Sequence, residues 1–274
     1  MDIKAFKMDG LGNDFVIIDQ RTKNIEFSKK QIIKICDRNF IGCDQLIIIK
    51  KNRELDAGLE FYNSDGSVSG ACGNGTRCVA YLLSKENNNK EITLWTASGI
   101  IKSNILKDNL VKTQIGVPKI KWNEIPINKN KNTKSLGIKI MDENNNEHIG
   151  GIAINVGNPH VIFFVESIDN FNIKKIGPAI ENNKLFPEKC NVTIAEVINQ
   201  NLIKVKVWER GVGQTKACGT AACATAVAGN INGLTKTSTD IEFELGRLSI
   251  FLDEKNSIHM KGPVSEIKEI DIKL

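Results

Sequence analysis

The feature that most constrains the fold of this 274-residue chain is that it repeats itself. Gly12-Asn13-Asp14-Phe15-Val16-Ile17 matches Gly157-Asn158-Pro159-His160-Val161-Ile162, with Gly157 lying 145 residues beyond Gly12. Ala71-Cys72-Gly73 recurs as Ala217-Cys218-Gly219, with Cys218 lying 146 residues beyond Cys72. At that second offset Gln45 falls on Asn191 and Asn63 on Glu209. One short match would be chance. Two matches in the same order and at nearly equal separations describe two related halves. The length allows it, since domains run to roughly 100–200 residues each.

The polar stretches 128–134 and 142–147 and an extended run marked by Pro118, Trp122 and Pro126 lie between the two sets of motifs. The switch between halves is expected near residues 114–120. Runs rich in Ile, Val and Phe predict strands at 15–19, 46–50 and 59–63, and again at 151–156, 160–165, 192–197 and 203–208. Ser28 is a candidate N-cap for a helix over 29–36. A second helix is predicted over 73–84. A third, over 220–229, is small and apolar on every side and should be enclosed, with Gly229 as its stop. Residues 262–274 alternate apolar and charged side chains as a last strand. Each half thus reads as many short strands around one buried helix, an α+β organisation.

Composition narrows the function classes. Net charge is +5, from 37 Lys and Arg against 32 Asp and Glu, and the basic residues are dispersed. With few aromatics between them, they do not form a nucleic-acid groove. No apolar run approaches the ~18 residues of a membrane span. The first residues lack the layout of a signal peptide. A cytoplasmic protein that binds neither membrane nor nucleic acid is expected.

There are seven cysteines: Cys36, Cys43, Cys72, Cys78, Cys190, Cys218 and Cys223. An odd number in a chain of this size does not describe a secreted disulfide framework. None are spaced C-x-x-C, and only His148, His160 and His259 accompany them, so no metal site is expected. Buried free cysteine is common and inert, and five of the seven fit that description. Cys72 and Cys218 differ, because each opens a predicted helix at equivalent points of the repeat. A helix N-terminus lowers a thiol's pKa from its usual value of about 8.5. The following glycine allows close backbone approach, and unpaired N–H groups there can hold a carboxylate or an oxyanion. Two halves facing each other would set the two thiols on opposite sides of one cleft. Inversion of a carbon acid needs that arrangement, with a base on one face and an acid on the other.

At these residues the chain resembles the diaminopimelate epimerase family, which interconverts LL- and meso-diaminopimelate without pyridoxal phosphate. The resemblance rests on Gly10-Leu11-Gly12-Asn13-Asp14-Phe15, Asn63-Ser64-Asp65-Gly66-Ser67, Ala71-Cys72-Gly73-Asn74-Gly75-Thr76-Arg77-Cys78, Gly157-Asn158-Pro159-His160, Trp208-Glu209-Arg210-Gly211 and Ala217-Cys218-Gly219-Thr220. These run in the family's order over almost the whole chain. The resemblance implies two pseudo-symmetric domains, each a mostly antiparallel, strand-rich barrel around a central helix. They are expected at 1–116 plus 263–274 and at 117–262. It also implies a cofactor-independent isomerase of lysine and peptidoglycan-precursor biosynthesis, acting as a homodimer.

The site residues follow from the same resemblance. Cys72 and Cys218 would be base and acid. Gly73, Asn74, Gly219 and Thr220 would hold the reacting carboxylate. Arg210 with Asn63, Asn158 and Asn191 suits the distal carboxylate, Glu209 suits an ammonium group, and Asn13 and Gln45 complete the site. His160 and Glu209 would tune the thiols.

Two departures stand out. The family usually has Gly-Thr-Gly after the second cysteine, where this chain has Gly219-Thr220-Ala221. We expect Ala221 to be already helical, where Ala is better than Gly. Members often carry an aromatic dimer contact in the last strand, where this chain has Ile267-Lys268-Glu269. The nearest alternatives are a proline racemase or hydroxyproline epimerase, which share the fold and the two-cysteine logic. Those typically have His after the first Cys-Gly, where this chain has Asn74, and proline offers no second charged end for Arg210 and Glu209. Phenazine-biosynthesis isomerases share the fold but lack the cysteine pair. From another class, two facing thiols could serve as a redox sensor.

Overall fold

Two units share the chain in the computed structural model, which describes residues 2–70 and 72–274. One is Met1–Gln114 with Lys261–Leu274, and the other is Ile115–Met260.

The first unit opens with β1 (Asp2–Gly10) and β2 (Asn13–Asp19), an antiparallel pair in which Gly10 faces Asn13. Only Leu11 (φ 61°) and Gly12 (φ 83°) lie between them. Two consecutive positive φ values match the right-handed strand twist in a two-residue hairpin, which explains the glycine at position 12. Helix α1 (Lys29–Cys36) starts at Ser28, whose hydroxyl and the Gln31 side chain cap each other's backbone. Then β3 (Gln45–Lys50) runs parallel to β2, and β4 (Ala57–Asn63) runs antiparallel to β3. Short β5 (Val68–Ser69) pairs antiparallel with β4 and leads to helix α2 (Gly73–Asn87). Strand β6 (Glu91–Thr96) lies parallel to β4, and β7 (Gly99–Ile105) and β8 (Leu110–Gly116) follow as antiparallel neighbours.

Helix α2 is buried from Asn74 to Ser84, on all its faces. It packs on β1, β2, β6 and β7 with Phe15, Ile17, Ile47, Leu59, Phe61 and Val79 in one core. Helix α1 covers the other face of the sheet through Ile32, Ile35, Val16 and Leu46. Gly75 allows α2 to come this close. A Cβ there would lie 2.6 Å from Ile47 Cδ1 and 3.2 Å from Phe15 and Phe61. Gly75→Ala is therefore expected to destabilise the protein by about 1–3 kcal/mol, the usual cost of overpacking. A urea midpoint equal to that of the parent would contradict this packing.

The second unit repeats the pattern. A separate antiparallel hairpin, β9 (Ile138–Met141) and β10 (Glu147–Gly150), precedes it. Then β11 (Ile152–Asn155) and β12 (Pro159–Val165) pair antiparallel, and helix α3 (Ile173–Glu181) follows. Strand β13 (Asn191–Asn199) is parallel to β12, and β14 (Leu202–Glu209) is antiparallel to β13. Short β15 (Gly213–Thr215) turns back on β14 and leads to helix α4 (Gly219–Ile231). Strand β16 (Ser238–Phe243) is parallel to β14, with β17 (Gly246–Leu252) antiparallel to it. The order antiparallel, parallel, antiparallel, antiparallel, parallel, antiparallel is the same in both units. Helix α4 is buried throughout 221–229 and contacts β11, β12, β13, β16 and β17. Its alanines combine high helix propensity with the small volume that such enclosure requires.

Two expectations need correction. Residues 262–274 are not one strand: β18 (Ile258–Pro263) and β19 (Lys268–Lys273) are separated by 264–267, and β19 pairs antiparallel with β1. Val264 and Ile267 in the break pack into the core of the first unit. Helix α3 was not anticipated, because Gly177 and Pro178 sit inside it. Its apolar face, Ile173, Ile176 and Ile180, follows helical spacing and is buried. No helix among the described residues is long and apolar enough to cross a membrane.

Candidate active site

Both candidate cysteines have the same backbone geometry. Cys72 is the N-cap of α2 at φ −142°, ψ 113°, and Cys218 is the N-cap of α4 at φ −142°, ψ 117°. Neither side chain caps its helix, and neither first turn holds an acidic residue. A side-chain cap is worth about 1 kcal/mol, and the chain forgoes it at both places. The first-turn amides, from Gly73 and Asn74 in one unit and Gly219 and Thr220 in the other, then point out of the helix as a ready anion site. Ala71, which precedes the first cysteine, lies outside the described residues.

In the first unit, Cys72 is half-buried. The β1–β2 turn delivers Asn13, whose Oδ1 stands 3.7 Å from Cys72 Sγ and accepts from Asn74 Nδ2 at 3.4 Å. Gln45 and Asn63 are directly opposite on β3 and β4, and Gln45 Nε2 donates to Asn63 Oδ1 at 2.8 Å. Asn63 Nδ2 donates to Ser67 Oγ at 3.0 Å, and Ser67 is held by Asp65 across the Gly66 turn. Gln45 Oε1 and Asn74 Oδ1 are buried without a hydrogen-bond partner in the protein. Two orphaned acceptors of this kind suit an ammonium group of a ligand.

In the second unit, Cys218 is 5 % exposed and its Sγ lies 3.4 Å from Thr220 Oγ1. The expectation that a helix start lowers the thiol pKa does not hold here. Burial and the negative charge of Glu209 push the Cys218 pKa well above its ordinary value, outweighing the downward pull of Thr220 and the nearby Ala221 amide. Ala221 lies inside α4 rather than at positive φ, so alanine carries no steric cost there.

His160, Asn158, Asn191 and Arg210 form one cluster. His160 Nε2 lies 2.9 Å from Asn158 Oδ1 and 3.5 Å from Asn191 Nδ2. Asn191 bridges the cluster: its Nδ2 donates to Pro159 O at 3.0 Å and its Oδ1 accepts from Arg210 N at 2.9 Å. Asn191 therefore holds the Arg210 backbone, while Arg210 Nη1 donates to Glu188 O at 2.6 Å.

Burial, reinforced by Arg210, depresses the His160 pKa to about 3. The unfolded ring binds a proton below its ordinary 6.5 and the folded ring only near 3. The unfolded state therefore holds more protons in that window, and stability falls as pH drops through it. Lowering the pH from 7 to 5 should reduce the melting temperature, and His160→Asn should flatten this dependence. An equal pH dependence in both proteins would contradict the burial of a neutral ring.

Sequence reasoning missed the side chains behind the site. Glu181 on α3, 6 % exposed, accepts from Trp208 Nε1 at 2.7 Å and Gly211 N at 3.1 Å, with Lys189 Nζ 3.6 Å away. This clamps the turn that carries Glu209 and Arg210. Gly177 on the same helix makes room: a Cβ there would lie 2.3 Å from Trp208 Cγ. Behind Asn13 stand Asp44 and Arg38. Asp44 adjoins Gln45 in sequence, but nothing in the repeat marks it.

A family model described as diaminopimelate epimerase matches residues 5–121 and 152–267. A diaminopimelate epimerase of Pelagibacter ubique is 72% identical over 274 residues, covering 100% of both chains. Among solved structures, a phenazine biosynthesis protein of Bacillus anthracis has a TM-score of 0.69 at 15% identity, covering 100% of both chains. A probable proline racemase of Agrobacterium radiobacter also scores 0.69, at 12% identity, covering 99% of this chain and 93% of that one. At such identities the two structures speak for the fold alone.

Proposed function

The chain belongs to the diaminopimelate epimerase family, a family of isomerases, and from this we propose that Cys72 and Cys218 are the acid–base pair that inverts one α-carbon of diaminopimelate. The observation that carries the assignment is the matched, uncapped N-cap geometry of the two cysteines. One thiolate takes the α-proton, the C–H bond breaks and its electron pair moves into the adjoining carboxylate. The amides of Gly73, Asn74, Gly219 and Thr220 hold that carboxylate as its negative charge grows. The other thiol gives its proton to the opposite face of the carbon. The two sulfurs finish with their protonation states exchanged, so the reverse reaction uses the same groups. Burial and Glu209 favour the protonated form of Cys218 in the ligand-free chain.

The second end of the substrate is unreactive and doubly charged. Arg210 and Asn158 take its carboxylate, with Asn191 acting one step back through the Arg210 backbone. Asn63 and Gln45 are assigned to the substrate as well, and Glu209 and the orphaned acceptors Gln45 Oε1 and Asn74 Oδ1 each suit an ammonium group. His160 orients Asn158. The role is cytoplasmic in this account, because both thiols must stay reduced to work. The homodimer is an expectation from the family, checked by sedimentation equilibrium.

The test is a substrate comparison with no pyridoxal phosphate added. LL-diaminopimelate should be converted to the meso form, and L-proline should not be racemised. Racemisation of proline without turnover of diaminopimelate would overturn the assignment of the distal subsite.

A further inference from the structure

Asn13 is held at both ends. Its Nδ2 donates to Asp44 Oδ2 at 2.8 Å, while its Oδ1 stands 3.7 Å from Cys72 Sγ. Asp44 is itself fixed: Oδ2 accepts from Asp14 N at 3.1 Å and Oδ1 accepts from Arg38 Nη2 at 2.6 Å. Arg38 also grips both oxygens of Asp14, at 2.7 and 2.8 Å. A side-chain amide has a donor end and an acceptor end of nearly equal shape, so its partners decide which way it points. A carboxylate only accepts. Asn13 must therefore turn its NH2 to Asp44, which leaves its carbonyl oxygen for the sulfur.

We propose that Asp44, oriented by Arg38, is a positioning residue for the reaction: it fixes the Asn13 amide so that the acceptor end, not the donor end, faces Cys72. The inference rests on the assignment of Cys72 as an acid–base thiol. An acceptor beside the sulfur receives the S–H proton and gives the thiolate no hydrogen bond. The thiolate is then a stronger base toward a weakly acidic carbon. A reversed Asn13 would donate to the thiolate and blunt it. The charged groups around neighbouring Cys78, Arg77 on α2 and Asp9 on β1, are left unchanged by the substitutions below.

The experiment is Asp44→Asn in the full-length protein, with two readouts: kcat and KM, and the pH profile of iodoacetamide alkylation at Cys72 and Cys218 followed by peptide mass spectrometry. Asparagine at 44 can accept or donate, so Asn13 is no longer pinned. The expected kcat loss is about 10-fold, the scale of supporting-shell substitutions, with KM within about threefold. The Cys72 profile should move to lower pH while the Cys218 profile stays. An unmoved Cys72 profile in the folded variant would overturn the proposal. The role of Cys72 itself fails separately, by full turnover in Cys72→Ser. In an Asn13→Ala background, Asp44→Asn should cost less than about twofold more, because partners in one path are not additive. A further loss as large as that in the parent would overturn the proposal. If Asp44→Asn does not fold, the parent decides: a scalar coupling across the hydrogen bond from Asn13 Nδ2 to the Asp44 carboxylate supports it, and its absence overturns it.

Discussion

Replacing Cys72 by serine lowers kcat for diaminopimelate inversion by about 10²–10⁴-fold, the range that a positioned general acid or base contributes. Replacing Cys218 by serine does the same. The argument starts from acidity. A serine hydroxyl is far less acidic than a thiol, so it supplies almost no base at neutral pH and is a poor donor in return. The loss belongs to kcat rather than KM, because the amides at both helix starts and the distal contacts remain. Neither substitution should unfold the protein. The change is nearly isosteric, Cys72 is half-buried, and Cys218 has Thr220 as a ready hydroxyl neighbour at 3.4 Å. The double variant should lose little more than either single one, since half of an acid–base pair does not invert a carbon. Steady-state rates with LL- and meso-diaminopimelate check this in both directions. Full turnover in both single variants contradicts the assignment.

Arg210→Met should reduce kcat/KM by about 10²–10³-fold, or about 3–4 kcal/mol, inside the range lost when one partner of a desolvated charge pair is removed. Most of that should appear in KM, because the distal carboxylate is bound in ground and transition states alike. Arg210→Lys should restore only part of it, since an ammonium cannot make the planar two-pronged contact. A second readout is independent of substrate. Arg210 reinforces the low pKa of His160, so its removal should raise that pKa and soften the loss of stability in acid. An unchanged KM would remove Arg210 from the substrate subsite. A changed KM with an unchanged acid profile would place its charge away from the ring.

The repeat was legible because it is written in residues that few other structures need. Gly12 serves a two-residue hairpin with positive φ, and the Cys-Gly pairs open helices whose burial demands small side chains. These local requirements survive in both halves and give the order of elements. What tertiary contacts decide was not legible. Helix α3 hid behind Gly177 and Pro178, and Gly177 is explained only by Trp208, thirty-one positions along the chain. The break at 264–267 follows the turn-marking pair Gly262-Pro263, but Val264 and Ile267 within it fill a core and so keep the apolar alternation of a strand. The thiol of Cys218 was expected to be acidic from its helix start. Enclosure and Glu209, brought beside it by β14, reverse the sign. Asn191 matched Gln45 in the repeat, yet its amide is spent on Pro159 and Arg210 while Gln45 keeps a buried oxygen for a ligand.

The measurement that bears most directly on the two-thiol account is inversion of LL-diaminopimelate in deuterium oxide, read by mass spectrometry and proton NMR. A proton removed from one face and replaced by a thiol proton on the other leaves solvent deuterium at one α-carbon, the inverted one. The account predicts a single deuterium in each newly formed meso molecule, none at the distal α-carbon, and loss of exchange on inversion in Cys72→Ser and Cys218→Ser. Inversion that retains the original proton in every product molecule, or deuterium at both α-carbons after a single turnover, would contradict it.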